Sequence, residues 1–406
     1  MKKFSNKKIV LVRNILVVLC ALIVCVYQFF PPIVVCAEGE GDKNEIEAEL
    51  NETIGYQLSS LDFGEIEKIV AGLSSSETEI FGSSSFASKI GKVISGEFAS
   101  GQSSVFGAIV NLIFDDILQF VPLLASIIAI ICGFVSNLRS ENNSKSIGDI
   151  IHFVCYGVII ILVMSGVVRL IKTASGSIQS IKTQMEVVFP ILLTLMTAIG
   201  ATASVAVYQP AVAFLSSFVM QVLSSVLMPI FIFMIIFTIV SNLTSTVKLD
   251  KFTKFFGSTF KWILGTVFTV FMAFLAIQGI TASSYDGVSI RTAKYAIRSY
   301  VPLLGGYLSE GFDVIMASSM LIKNAVGASG LILMFASIVS PIVQIVVFSL
   351  VLKLASAILE PLTDSRISDF IYSFGKTLSL LVTMIVGIAF MYLITTGLIM
   401  CTANYI

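Results

Sequence analysis

Long apolar runs separated by short polar punctuation dominate the chain from about residue 105 onward. They fall at 118–138, 150–168, 187–207, 211–243, 262–280, 328–351 and 378–401. Since roughly 20 apolar residues cross a bilayer as a helix, the pattern predicts an all-α, polytopic transmembrane bundle. The fourth run is too long for one ordinary span, because its length corresponds to about 50 Å of helix against a hydrocarbon core of about 30 Å. Pro229 lies near its middle, lacks an amide and crowds the preceding turn. This run is therefore expected to fold back as a hairpin or re-entrant pair broken at Met228-Pro229. With that fold-back, the connections at 139–149, 244–261 and 352–377 share the cytoplasmic side, and the basic residues they carry, from Arg139 to Lys376, agree with it.

Two polar stretches between the runs keep helical spacing. In the first, Lys248, Lys251, Lys254 and Lys261 alternate with Leu249, Phe252, Phe255 and Phe256. That basic and aromatic surface suits the headgroup layer, or a cytoplasmic turn flanking Trp262. In the second, 281–327, charged residues are spread among apolar ones, and Val301-Pro302-Leu303-Leu304-Gly305-Gly306 interrupts the helix. The expectation is an amphipathic helix-break-helix insert lying along or dipping into the membrane. Its candidate gate or docking residues are Asp286, Gly287, Arg291, Lys294, Arg298, Pro302, Gly305, Gly306, Asp313, Lys323 and Asn324. Arg291, Lys294 and Arg298 recur at three and four residue steps, which lines them along one helix face. The alternative for Asp286 is a structural cap near a helix N-terminus.

The region ahead of the spans, 38–104, is acidic, with 13 Asp and Glu against four lysines. Ile46, Leu50, Ile54, Leu58 and Leu61 follow the helical period, so a small extracytoplasmic helical segment on a Ser/Gly tether is expected. Residues 1–37 open with Lys2, Lys3, Lys7, Lys8 and Arg13, continue through an apolar run at 15–30 and a Pro31-Pro32 break, and end on Val35-Cys36-Ala37. That is the pattern of a signal peptide cleaved between Ala37 and Glu38, with an uncleaved first span as the alternative.

Composition narrows the function classes. The 406 residues are 56% hydrophobic and 12% charged, with 25 basic and 25 acidic side chains, which disfavours a soluble enzyme and offers nucleic acid no general attraction. Cys132, Cys155 and Cys401 remain after cleavage, each in or beside an apolar run, and suggest neither a disulfide framework nor a metal site. His152 is the single histidine, and no HExxH, GxSxG or P-loop pattern occurs, so a non-enzymatic protein without metal or cofactor is expected. No Asp, Glu, Lys or Arg lies well inside a predicted span, which disfavours an ion-coupled transporter. Small residues are frequent instead: Ala198, Gly200, Ala201, Ala203 and Ser204 in the third run, and Gly327, Ala328, Ser329 and Gly330 entering the sixth. They permit close helix packing or homo-oligomerisation. Pro229 and Pro341 sit in similar short contexts, Ser-Val-Leu-Met-Pro-Ile and Ser-Ile-Val-Ser-Pro-Ile, and are the candidate helix breaks of a permease with a central site.

The stretches Gln278-Gly279-Ile280-Thr281-Ala282, 286–296, 301–306 and 319–327 together resemble the stage III sporulation protein AE family. The order of signal peptide, acidic segment and spans is similar to that family over essentially the whole chain. The resemblance implies a membrane subunit of a secretion-like complex made in the mother cell of endospore-forming bacteria and seated in the outer forespore membrane. Its implied partners are the other subunits of the stage III sporulation A complex, the lipid bilayer and, indirectly, a forespore channel protein. It transfers no catalytic residue. A stand-alone small-molecule permease and a poreless assembly scaffold are the alternatives.

Overall fold

The computed structural model describes residues 43–73, 75–82, 85–95, 102–139, 145–243, 249–300, 305–361 and 365–402. Ala37, Glu38 and Pro302 lie outside them. Regular structure among the described residues is entirely helical. Four short helices come first: α1 (Lys43–Ser60), α2 (Gly64–Ala71), α3 (Ser75–Phe81) and α4 (Phe86–Ile94). The long elements follow as α5 (Gln102–Arg139), α6 (Lys145–Ala198) and α7 (Thr202–Ala213). A π-helical turn (Phe214–Val219), α8 (Met220–Val222) and a second π-helical turn (Leu223–Leu227) lead into α9 (Met228–Leu243). The chain then completes α10 (Asp250–Tyr300), α11 (Gly305–Leu359) and α12 (Ser365–Cys401).

Among the described residues, six stretches are long and apolar enough to cross a membrane: Ile109–Ile130, Tyr156–Ala198, Thr202–Ser241, Lys251–Ala276, Gly311–Leu359 and Ile367–Cys401. The sequence predicts seven runs, and the difference arises at the second and third. The second run and most of the third belong to one helix, α6, whose polar middle does not interrupt it. α6 instead ends at Gly200, where φ is 89°. There the Gly200 amide donates to the Thr197 carbonyl and the Ala201 amide to the Met196 carbonyl, the glycine-based helix stop that satisfies the last carbonyls. Gly200 is thus a turn residue and not a packing contact within a span.

The fourth run does not fold back either. It continues from α7 to α9 as one helical column, and Pro229 is merely the second residue of α9. The π-helical turn just before it spaces its hydrogen bonds i to i+5, which drops a carbonyl out of the α ladder. A proline without an amide is tolerated at that change of register. α11 likewise runs unbroken through Pro341, and α6 through Pro190.

α11 is the axis of the molecule and packs on α12, α6, α5 and the short N-terminal helices. It runs antiparallel to α12, as Lys323 meets Thr402, Ser349 donates to the Gly375 carbonyl, and Ser356 pairs with Ser368. It also runs antiparallel to α6, with Gln184 on Ser337 and Gly166 under the Phe348 ring. Tyr156 Oη donates to the Ile239 carbonyl, and its ring packs on Phe370 at 4.9 Å. The start of α6, the end of α9 and the start of α12 therefore share one end. The connections at 139–149, 244–261 and 352–377 gather there as expected, though because α6 is a single column and not because of a hairpin.

The opposite end carries the Gly200 turn, the α10–α11 junction, the end of α12 and helices α1–α4. Helices α1, α3 and α4 of the acidic segment pack on α11. Ile66, Phe81, Phe86 and Ile90 are fully buried, and Ser319 on α11 donates to Gln57 Oε1 on α1 at 3.1 Å. Glu67 Oε1 accepts the Phe86 amide at 2.8 Å, so an acidic side chain of α2 caps α4. Lys89 donates to the Phe81 carbonyl and lies over the Phe81 ring, and burial pulls its ammonium below the usual lysine range.

Exposed large apolar side chains concentrate toward the end with the three connections. They include Leu118 on α5, Val154 and Ile161 on α6, Phe233 and Ile236 on α9, and Trp262 on α10. On α11 nearly every residue from 325 to 349 is shielded, whereas Leu350, Leu354 and Ile358 are exposed. Exposed apolar side chains in this number fit lipid contact. The basic and aromatic start of α10 lies in the same zone, with Phe252 and Phe256 stacked against Phe237.

Candidate functional site

Within 281–327 the described residues belong to the last third of α10 and the first part of α11. Asp286, Gly287, Arg291, Lys294 and Arg298 lie in the last third of α10, which is helical from Asp250 onward. Asp286 is therefore nowhere near a helix N-terminus, and the capping alternative does not apply. Continuous helix does align Arg291, Lys294 and Arg298 along one face. α10 ends at Tyr300, while Gly305 and Gly306 begin α11 instead of interrupting it. Asp313 is partly buried two turns into α11.

Lys323 is 0% exposed, so it is no part of a docking surface. Its ammonium donates to the Thr402 carbonyl at the C-terminal end of α12, the negative end of that helix dipole. Tyr208 Oη lies 3.0 Å from Thr402 Oγ1, so this residue ties α7, α11 and α12 together. Lys323 also lies within the apolar stretch Gly311–Leu359, which corrects the expectation that the spans hold no charge. Next to it, Asn324 Oδ1 is buried without a hydrogen-bond partner.

The small residues ahead of the sixth run serve intramolecular packing. A Cβ on Gly327 would come within 2.7 Å of Met400 Cγ, and one on Gly330 would meet Val188 at 3.0 Å and Tyr392 Oη at 3.1 Å. Tyr392 stacks on Phe189 at 5.2 Å beside this crossing. Glycine is required there because α6, α11 and α12 approach backbone to side chain.

A second polar feature escaped the sequence reading. Between α6 and the column of α7 with its first π-helical turn lies an open cleft of about 470 Å³. Glu186, Pro190, Thr194 and Thr197 form one wall, with Gln209, Ser216 and Ser217 opposite. Lys182 Nζ stands 3.7 Å from Glu186 Oε1, both side chains being part-exposed. Behind this wall Gln184 is fully buried and donates to Ser337 Oγ at 2.8 Å and to Ser180 Oγ at 3.3 Å. The available signal was the stripe Glu186, Pro190, Thr194, Thr197, whose steps of four and three put it on one helix face. Dividing α6 into two runs hid it.

The family described as Stage III sporulation protein AE matches residues 84–403, which takes in α4 through α12 and leaves α1–α3 outside. Stage III sporulation protein AE of Bacillus subtilis (strain 168) is 24% identical over 315 residues, covering 76% of this chain and 79% of that protein. No solved structure matches the chain.

Proposed function

The chain belongs to the stage III sporulation protein AE family, and from that premise we propose that it is a non-enzymatic membrane subunit of a mother-cell-to-forespore secretion-like complex, required for spore development after engulfment. The observation that carries this reading is the extent of the family match, which includes every long apolar helix of the fold. The sporulation role follows from the family; membership of the complex and the seat in the outer forespore membrane are the finer steps proposed.

Orientation follows from the signal-peptide pattern at 1–37, which puts the acidic segment outside the cytoplasm. The end that gathers Arg139, Lys145, Lys251, Lys254, Arg366 and Lys376 is accordingly assigned to the mother-cell cytoplasm. Helices α1–α4 and the α10–α11 junction then face the space between the two membranes. The end of α10 and the start of α11, up to Asp313, form the surface offered to the other subunits and, through them, to a forespore protein. Self-association through the same surface is compatible with this arrangement.

Deletion of the gene tests the proposal. A block confined to sporulation, after engulfment is complete, is the expected result. A growth-phase uptake defect would overturn it in favour of a stand-alone permease. That alternative has lost the feature that motivated it, since α9 and α11 run unbroken at Pro229 and Pro341.

A further inference from the structure

We propose that the cleft between α6 and the column of α7 with its first π-helical turn is a binding site for an organic ammonium group. The argument rests on which hydrogen-bonding groups the walls have left to offer. Thr194 Oγ1 donates to the Pro190 carbonyl at 2.8 Å, and Thr197 Oγ1 to the carbonyls of Leu193 at 3.2 Å and Thr194 at 2.6 Å. On the facing wall Ser216 Oγ donates to the Val212 carbonyl at 2.9 Å. Each of these three hydroxyls has one proton, spent within its own helix, so lone pairs are what they offer the cleft, while the Gln209 amide and the Ser217 hydroxyl bring donors to the facing wall. Pro190 adds to this, because without an amide it leaves the Glu186 carbonyl lacking its usual donor one turn on. The Glu186 carboxylate completes an acceptor-rich lining.

An acceptor-rich lining with a carboxylate selects a cationic, donor-rich guest, and an ammonium with three N–H donors matches it better than a carboxylate or phosphate. The cation now beside Glu186 is Lys182, at a loose 3.7 Å, with side chains 32% and 47% exposed. Pairs of that kind contribute little, so a better-placed ammonium can take the carboxylate from Lys182. Leu193, Val205 and Val212 form an apolar floor for the alkyl part of the guest. The size is that of an ordinary small-molecule site. The π-helical turn at Phe214–Val219 shapes the second wall, a distortion that often accompanies binding sites. The shared chemistry has two natural sources, a soluble primary amine or the ethanolamine headgroup of a phospholipid.

The test uses the full-length protein in nanodiscs made only of phosphatidylglycerol, titrated calorimetrically with n-butylammonium and, separately, butyrate. Butylammonium should bind and butyrate should not. Glu186→Gln should weaken binding by about tenfold or more, as expected for loss of a charge-assisted hydrogen bond. Lys182→Met should strengthen it by a few fold, because it removes the internal rival cation. Butyrate binding as well as butylammonium, or Lys182→Met weakening binding as Glu186→Gln does, would overturn the proposal. Adding phosphatidylethanolamine to the discs separates the sources: a raised apparent Kd identifies the lipid headgroup as occupant, and an unchanged one identifies a soluble amine. These measurements are independent of any sporulation phenotype.

Discussion

Lys323, wholly buried on α11, donates its ammonium to the carbonyl of Thr402, one residue beyond the end of α12, at 2.5 Å. A buried carbonyl that loses a charged donor costs about 1–3 kcal/mol, and removing the side-chain volume adds a cavity cost of a few more. Lys323→Ala should therefore destabilise the protein more than Lys323→Met, which keeps most of the volume. Thermal unfolding of the detergent-purified variants checks the order, and equal midpoints for all three proteins would remove Lys323 from the packing account.

Gly166 lies directly under Phe348, where an added Cβ would sit 2.5 Å from two ring carbons. Gly166→Ala should cost about 1–3 kcal/mol through overpacking at the α6–α11 crossing. On the same helix Gly176 has nothing within 4 Å of such a Cβ. Gly176→Ala should be neutral or stabilise by up to about 1 kcal/mol, because alanine is the better helix former. Denaturation in matched detergent compares the two.

Gln184 and Ser337 form a buried cross-helix hydrogen bond at 2.8 Å between α6 and α11. A double-mutant cycle with Gln184→Met and Ser337→Ala should give a coupling of about 0.5–1.5 kcal/mol, the net worth of one such bond. Additive single effects would mean that the pair does not contribute in the membrane-embedded protein.

Sidedness can be read by labelling with a membrane-impermeant thiol reagent in a cysteine-free background. With the protein produced in the plasma membrane of vegetative cells, Tyr56→Cys, at a residue 77% exposed on α1, should react from outside intact cells. Glu360→Cys, exposed at the end of α11, should react only after the membrane is opened. In the same material N-terminal sequencing should find Glu38 first, as the Val35-Cys36-Ala37 pattern predicts.

Arg291 and Lys294 lie on one face of the last third of α10, at the end assigned to the intermembrane space. Charge reversal at either should impair sporulation without lowering the amount of protein in the membrane, the result expected of a docking face. Degradation of the variants, seen by immunoblot, would make that face structural instead.

The helical membrane class was legible because about 20 consecutive apolar residues leave few other options. The polar cleft was not. Its walls are contributed by α6 and α7, and hydropathy cannot tell a polar helix face that lines a protein groove from a loop. The middle of α6, with Arg169, Lys172, Lys182 and Glu186, reads as a connection for that reason.

What the sequence by itself determined, then, is the helical character of each segment, the acidic segment ahead of the spans and the basic residues that gather at one end. These follow from local propensity, composition and the thickness of a bilayer. The tertiary structure alone decided that α6 is one column, that Pro229 and Pro341 break nothing, that the acidic helices dock on α11 and that Lys323 is buried against Thr402. Each of those depends on a partner distant in the chain: a π-helical register shift shaped by packing, an apolar face covered by another helix, a carbonyl that only the fold brings within reach of an ammonium. A linear pattern weighs each residue against lipid or water, whereas the folded chain weighs it against the neighbour that replaces both.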